Sequence, residues 1–302
     1  MTGIRRLLIA VDGSDDAQRA VDFVGALALE AGTELIVLMV VEPLPPISVA
    51  YDPFFGPHTR TLIRQYFATE QRTATIVVDA AAAALLRPGV NVEALVRLGT
   101  PKREIVRISR QRSSDLVVVG SRGLGGFAGL ALGSVSQYVA ERATASVLVV
   151  KAHEEKSVVP VDRPWHVVAA VDGSPQSDAV IALVEDVPWP EGVQARVLSV
   201  GEVRSSVPQE VADAVERTTK RIAAHAVERL SAKLPSSEAV SRLGSAAGEI
   251  VTLAGAWPAD VVVVGTRGRT GLRATVLGSV SRQVLAHAPC SVCVARSAGV
   301  AP

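Results

Sequence analysis

The 302-residue chain is long enough for one large domain or two of ordinary size. With 48% hydrophobic and 20% charged residues it has the makeup of a packed globular protein, not of a disordered chain. A net charge of +1 and an aromatic content of 4% provide neither a basic face nor stacking platforms, so nucleic acid is not an expected partner.

The first apolar run, Leu7 to Val11, is too short for the core of a secretory signal, and Ala80 to Leu86 is too short to span a bilayer. A soluble, cytoplasmic protein without membrane contact is expected. Arg5 to Val11 reads as a buried strand, and Ser14 as the cap of a following helix with Asp15 and Asp16 in its first turn. Glu34 to Val41 is a second strand. Pro43 to Thr59 reads as a loop, with a lid over a nearby site as one use for it. A long helix from Thr61 to Leu86, a strand from Asn91 to Leu98, a helix from Pro101 and an apolar strand from Asp115 to Val119 follow. A short helix then leads to a last strand, Ser146 to Val150.

The same series then recurs. Leu8-Ile-Ala-Val-Asp-Gly-Ser14 returns as Val168-Ala-Ala-Val-Asp-Gly-Ser174, Asp115 to Gly123 as Asp260 to Gly268, and Leu132 to Ser136 as Leu277 to Ser281. The offset falls from 160 residues between Asp12 and Asp172 to 145 between Gly133 and Gly278, so the second copy lacks most of Pro43 to Thr59. Its elements are expected at Ser174 (a cap, with Pro175 at the first helical position), Gln194 to Val200, Pro208 to Leu234, Glu238 to Leu243, Ala246 onward, Asp260 to Val264 and Ser291 to Ala295. Two copies mean duplication, not a solenoid. The charged segment His153 to Arg163 reads as a linker between domains at 1–152 and 164–297, with 298–302 a tail.

Strands alternating with helices predict a parallel sheet covered on both faces. Such sheets bind ligands beyond the carboxyl ends of their strands, where Asp12, Asp172, Gly120 and Gly265 all lie. In the first copy Gly120-x-x-Gly123 is followed by nine residues and then Gly133-Ser134; Gly265-x-x-Gly268 and Gly278-Ser279 repeat that spacing. Glycines permit positive φ and close approach of the backbone to a ligand, and the helix opening at Gly133-Ser134-Val135-Ser136 offers free N–H groups to an anion. The hydroxyls of Ser134 and Ser136 and the charges of Arg122 and Arg267 could add to this. The pattern predicts phosphate binding, once per copy.

Other motifs fit less well. The G-x-x-x-x-G-K-[ST] loop is absent, and Gly123-Leu-Gly125-Gly-Phe-Ala128 matches a dinucleotide fingerprint that the second copy breaks. The five histidines have no counterparts at matching positions, and neither copy offers a matched catalytic base beyond Asp12 and Asp172. A turnover enzyme is therefore less expected than a binding module, with slow ATP hydrolysis or another nucleotide hydrolase as the alternative. Cys290 and Cys293, three apart on a strand-like run, are read as buried residues pointing to opposite faces and not as a redox or metal pair.

On G-x2-G-x9-G-[ST], present twice, the chain resembles the ATP-binding branch of the universal stress protein family. The resemblance implies two tandem copies of a doubly wound five-stranded parallel sheet, order 3-2-1-4-5, of the adenine nucleotide alpha hydrolase-like type. It implies ATP, with Mg or Mn bridging the phosphates. In the first copy Ala10 would meet adenine through its backbone, Asp12 would stand near the nucleotide, and Val40 would lie against adenine. Gly120, Ser121, Arg122, Gly123 and Gly126 would line ribose and phosphates, and Gly133, Ser134, Val135 and Ser136 would hold the phosphate tail. In the second copy these roles fall to Ala170, Asp172 and Val200, to Gly265, Thr266, Arg267, Gly268 and Gly271, and to Gly278, Ser279, Val280 and Ser281. The residues alone leave Asp12 and Asp172 open as turn acids, Val40 and Val200 as core residues, and Arg122 and Arg267 as surface arginines. Met39 and Ser199 stand where the family often has histidine, and Ala145 where proline is common. The resemblance further implies pairing through last strands, hence an intramolecular pseudo-dimer. A homodimer of the whole chain and a regulatory protein partner are also expected.

Overall fold

The computed structural model describes residues 3–43, 57–124, 132–152, 158–160, 163–203, 206–266 and 277–297, with 57–60 described by backbone alone. The first half contains β1 (Arg6–Val11), α1 (Asp15–Ala26), β2 (Glu34–Val41), α2 (Pro57–Ala84), β3 (Asn91–Leu98), α3 (Pro101–Gln111), β4 (Leu116–Gly120), α4 (Ser134–Arg142) and β5 (Ser146–Val150). The second half repeats the order with β6 (His166–Val171), α5 (Pro175–Asp186), β7 (Gln194–Gly201), α6 (Gln209–Leu230), β8 (Ser237–Leu243), α7 (Ala246–Ala256), β9 (Val261–Gly265), α8 (Ser279–His287) and β10 (Ser291–Ala295).

The expected order 3-2-1-4-5 is present in both halves, and the halves join edge to edge. The sheet runs β3-β2-β1-β4-β5-β10-β9-β6-β7-β8. Neighbours within a half are parallel; β5 and β10 are antiparallel, with Leu148 opposite Cys293 and Val149 opposite Val292. The pairing removes the free edge that each last strand would otherwise present. Central strands are apolar at consecutive positions because helices cover both their faces; β5 and β10 are buried throughout. Strands β3 and β8 close the two ends and carry mostly exposed or half-buried residues.

Each face of the sheet carries a core drawn from both halves. On one face Phe23 of α1 meets Trp165, just before β6, edge-on at 4.8 Å. Cys293 belongs to this core and Cys290 to the opposite one, as the strand spacing predicts. Both thiols are free, and burial pushes each up to about 12, so neither is a nucleophile at neutral pH.

The seam has its own polar fastening. Lys151, following β5, donates from Nζ to the Ala288 carbonyl at the end of α8, 2.9 Å away. Arg296, following β10, donates to the Ala140 carbonyl in the last turn of α4, 2.6 Å away. Each cation thus sits at the negative end of the other half's last helix.

Two boundaries differ from expectation. Residues 44–56 of the Pro43 to Thr59 loop lie outside the described residues, but its last three residues already belong to α2, since proline is well suited to a helix's first turn. Of the linker His153 to Arg163, residues 153–157 and 161–162 lie outside the described residues. Val158 is buried, and Arg163 grips Asp260 through two hydrogen bonds of 2.8 and 2.7 Å. The linker's end is therefore tied to the second half's sheet.

Candidate functional site

Parallel packing brings the carboxyl ends of β1, β2 and β4 together, with β6, β7 and β9 doing the same in the second half. Ala10, Val40 and Val135 lie half-buried at the margin of one core, and Ala170, Val200 and Val280 occupy the matching margin. In the second half the residues converge on one cleft that opens to solvent. Ala170, Asp172, Val200, Gly265, Val280 and Ser281 line it, as do Gln176, Leu198, Ala246 and Ile250, which sequence reasoning did not name. The apolar wall with a few polar groups suits a small organic ligand.

In the first half the chain leaves β1 through Asp12 and Gly13, whose φ of +83° is a left-handed turn that glycine adopts without strain. Asp12 Oδ1 accepts from Ser14 N at 3.0 Å and from Ser14 Oγ at 2.6 Å. Ser14 caps α1 by accepting from Ala17 N at 3.2 Å. The other Asp12 oxygen accepts from Leu124 N at 3.1 Å, which ties the loop after β4 to the end of β1. Asp12 is thus a turn acid and a loop anchor at once.

Asp16 is the residue that sequence reasoning missed. Its first-turn position accounts for it as a helix-dipole acid, but it is buried, and Oδ2 accepts from Ser121 Oγ at 2.6 Å and from Arg122 N at 3.0 Å. Arg19 pairs with the other oxygen at 2.6 Å, and the exposed Arg122 guanidinium lies 3.5 Å from Asp16. The second half carries Gln176 at this position, so comparing the copies gives no signal for it.

The glycines act differently from expectation. Among the described residues, the loop glycines Gly120, Gly123 and Gly133 are not in the positive-φ region. They matter because they lack a Cβ: one on Gly120 would come within 2.7 Å of the Asp16 backbone, and one on Gly123 within 2.3 Å of Asp12 Oδ2. Gly133 N donates to the Ser121 carbonyl at 2.8 Å, and Gly278 N to the Thr266 carbonyl at 2.7 Å, closing the loop's base in both halves. Ser136 is buried, and its hydroxyl donates to the Ser121 carbonyl at 2.8 Å or the Gly133 carbonyl at 2.9 Å. Ser281 Oγ donates to the Gly265 carbonyl at 2.6 Å. These two hydroxyls hold the loop, whereas Ser134 and Ser279 face outward as exposed first residues of α4 and α8. Gly126, Arg267, Gly268 and Gly271 lie outside the described residues.

The second strand-end turn uses other groups. Gly173 again has positive φ, +77°. Ser174 takes the cap position of α5 but makes no capping bond. Ser177, standing where the first half has Ala17, accepts from Asp172 N at 2.9 Å and Gly173 N at 3.1 Å and donates to Asp172 Oδ1 at 2.9 Å.

A model of the universal stress protein family matches residues 3–151 and again 165–296. The chain belongs to that family. A universal stress protein of Mycolicibacterium smegmatis is 26% identical over 299 residues, covering 96% of both chains. A shorter universal stress protein of Thermus aquaticus is 37% identical over 148 residues, covering 49% of this chain and 98% of its own. The crystal structure of a universal stress protein from Archaeoglobus fulgidus matches with a TM-score of 0.65 at 20% identity, covering 97% of this chain and 98% of that one, and shares the fold. This chain is thus a tandem universal stress protein. Among its described residues no helix is long and apolar enough to cross a membrane.

Proposed function

We propose that this tandem universal stress protein binds one adenine nucleotide, ATP, in each half, taken as 1–152 and 164–297, and acts in the stress response as a nucleotide-dependent regulator. The observation that carries this reading is the second-half cleft. There a half-buried apolar wall, Ala170 and Val200, meets the opening of α8 at Val280 and Ser281. A flat apolar base fits the wall, and the N-terminus of α8 favours phosphate through its free N–H groups and dipole. The loop after β4 fits the same use: a Cβ at Gly123 or Gly133 would fill space beside Asp12 and Ser121. Mg or Mn enters this reading only as an ion carried on the phosphates.

Regulation is favoured over turnover because the strand-end acids are engaged in structure. Asp12 accepts three hydrogen bonds that hold its own turn and loop, which leaves it poorly placed to accept a proton from water. The test is direct. Protein purified without added nucleotide and then denatured should release adenine nucleotide, identified by absorbance and mass, at up to two per chain. Chains that bind no ATP even when it is supplied in excess would overturn the proposal, and steady hydrolysis of many ATP per second would replace regulation with catalysis.

A further inference from the structure

Helix α2 carries two apolar stripes, and the sheet uses one of them. Ala74, Val78, Ala81 and Leu85 are buried on the side that packs against β1, β2, β3 and α1. On the other side Leu62, Tyr66, Thr69, Thr73, Ile76 and Ala80 are exposed and recur at alternating steps of four and three residues, the spacing of a coiled-coil seam. Ile76 is 70% exposed, Leu62 51% and Tyr66 43%. Thr69 donates its hydroxyl to the Gln65 carbonyl of its own helix at 3.0 Å, which leaves its methyl group to pack. Single exposed apolar residues are ordinary, but a continuous row of them marks a surface that something covers.

The fold does not require the row. In the second half α6 holds the place of α2: Ile222 stands beside Gly173 as Val77 stands beside Gly13. Thr219, Ala223, Ala226 and Leu230 are buried at the spacing of Ala74, Val78, Ala81 and Leu85. On its outer side α6 has Val211, Ala214 and Thr218 at the positions of Tyr66, Thr69 and Thr73, and then Arg221 and His225 where α2 has Ile76 and Ala80. Both of these are exposed. The same place on the same sheet is thus charged and solvated in one half and apolar in the other.

We propose that the outer stripe of α2 is the surface through which two copies of this chain pair, the two helices lying antiparallel across a two-fold axis. The last strands are not available for this, because β5 and β10 pair within one chain. The charges beside the stripe select a second copy as the occupant. Arg72 and Asp79 are exposed, flank Ile76 on one side of the helix, and form no ion pair among the described residues. Two turns apart, they do not meet within one helix. An antiparallel partner centred near Thr75 places Arg72 beside Asp79 of the second copy, and Asp79 beside its Arg72. The same register sets Thr73 against Ile76 and Thr69 against Ala80. Parallel helices would bring like charges level. An interface across a two-fold axis must be self-complementary, and this stripe is. The pairing asks nothing of the nucleotide sites.

Sedimentation velocity of the full chain over a concentration series tests this. The wild-type chain should form a concentration-dependent dimer. Ile76→Arg, which installs the residue that α6 carries, should raise the dimer dissociation constant at least about a hundredfold, because the change enters each dimer twice. At dilutions where both chains are monomers, it should leave the melting temperature unchanged. Arg72→Asp and Asp79→Arg should each weaken the dimer several-fold, and the two together in one chain should restore it. These exposed charge variants read the register even where Ile76→Arg fails to fold. A wild-type chain that stays monomeric, or a dimer indifferent to these exchanges, overturns the proposal. A double exchange that fails to restore the dimer overturns the antiparallel register. A monomer whose Ile76→Arg variant melts lower overturns the proposal too, since the chain's own residues would then cover the stripe.

Discussion

The first and second halves share their strands and differ at the turns that leave those strands. Asp12 and Asp172 end the same strand, and Gly13 and Gly173 turn with φ of +83° and +77°. One residue later the solutions diverge. The first half closes its turn with Ser14 and clamps the loop with Asp16; the second closes it with Ser177 and has a neutral Gln176 in place of the clamp. Duplication preserved what packing demands, because a β-strand buried on both faces accepts few substitutions. It left the polar fastening free to change, since several side chains can satisfy the same backbone N–H groups.

The largest expected effect would break the parallel between the loops. Gly123→Glu places a Cβ within 2.3 Å of Asp12 Oδ2 and adds negative charge beside it, so ATP binding in the first half should fall on the order of a hundredfold. Gly268→Glu should do the same in the second half alone. Titrations in which either variant silences both halves would show that the sites are not independent.

Removing the clamp sharpens the contrast next. Asp16→Ala leaves Ser121 Oγ and Arg122 N without their acceptor and Arg19 without its partner, at a cost of about 2–3 kcal/mol to the unfolding free energy. The matched change Gln176→Ala should cost less than about 1 kcal/mol. Chemical denaturation of the two variants measures both, and equal losses would deny Asp16 its anchoring role.

The seam offers a smaller, pH-dependent difference, because Lys151 in one half is matched by Arg296 in the other. Burial pulls the Lys151 ammonium down to about 8 from its ordinary 10.5. Below pH 8 it is charged in both folded and unfolded chains, and its burial cost is felt in full. Between about pH 8 and 10.5 the folded chain releases the proton first, so stability relative to Lys151→Met should rise with pH, by about 1–3 kcal/mol across that window. Arg296 stays protonated throughout, and Arg296→Met should give a difference that does not vary with pH in this range. Thermal melts at matched pH values report both, and a flat profile for the Lys151 pair would contradict its burial.

Much of this was legible in the residues because the signals are local. Consecutive apolar residues such as Leu116-Val-Val-Val119 mark a strand covered on both faces, and Pro175 and Ser14 mark helix starts, whatever the rest of the chain does. The repeated loop spacing placed the candidate site at the strand ends where both halves carry it. The contacts made by Asp16 and Ser177 were not legible, since each occurs in one half only and a reading built on the repeat passes over whatever fails to match. The role of Ser136 was hidden for another reason: spacing places a hydroxyl in the first turn of a helix but does not say whether it turns outward or, as here, inward to the Ser121 carbonyl.

By itself the sequence determined the duplication, the alternation of strand and helix, and the family pattern, all of which follow from periodicity and short-range steric preference. Only the tertiary structure decided that β5 and β10 fuse the halves into one sheet of ten strands, and that a carboxylate on α1 holds a loop 105 residues away. The reason is physical: such contacts depend on which surfaces meet after the chain collapses, and a one-dimensional pattern carries burial but not direction.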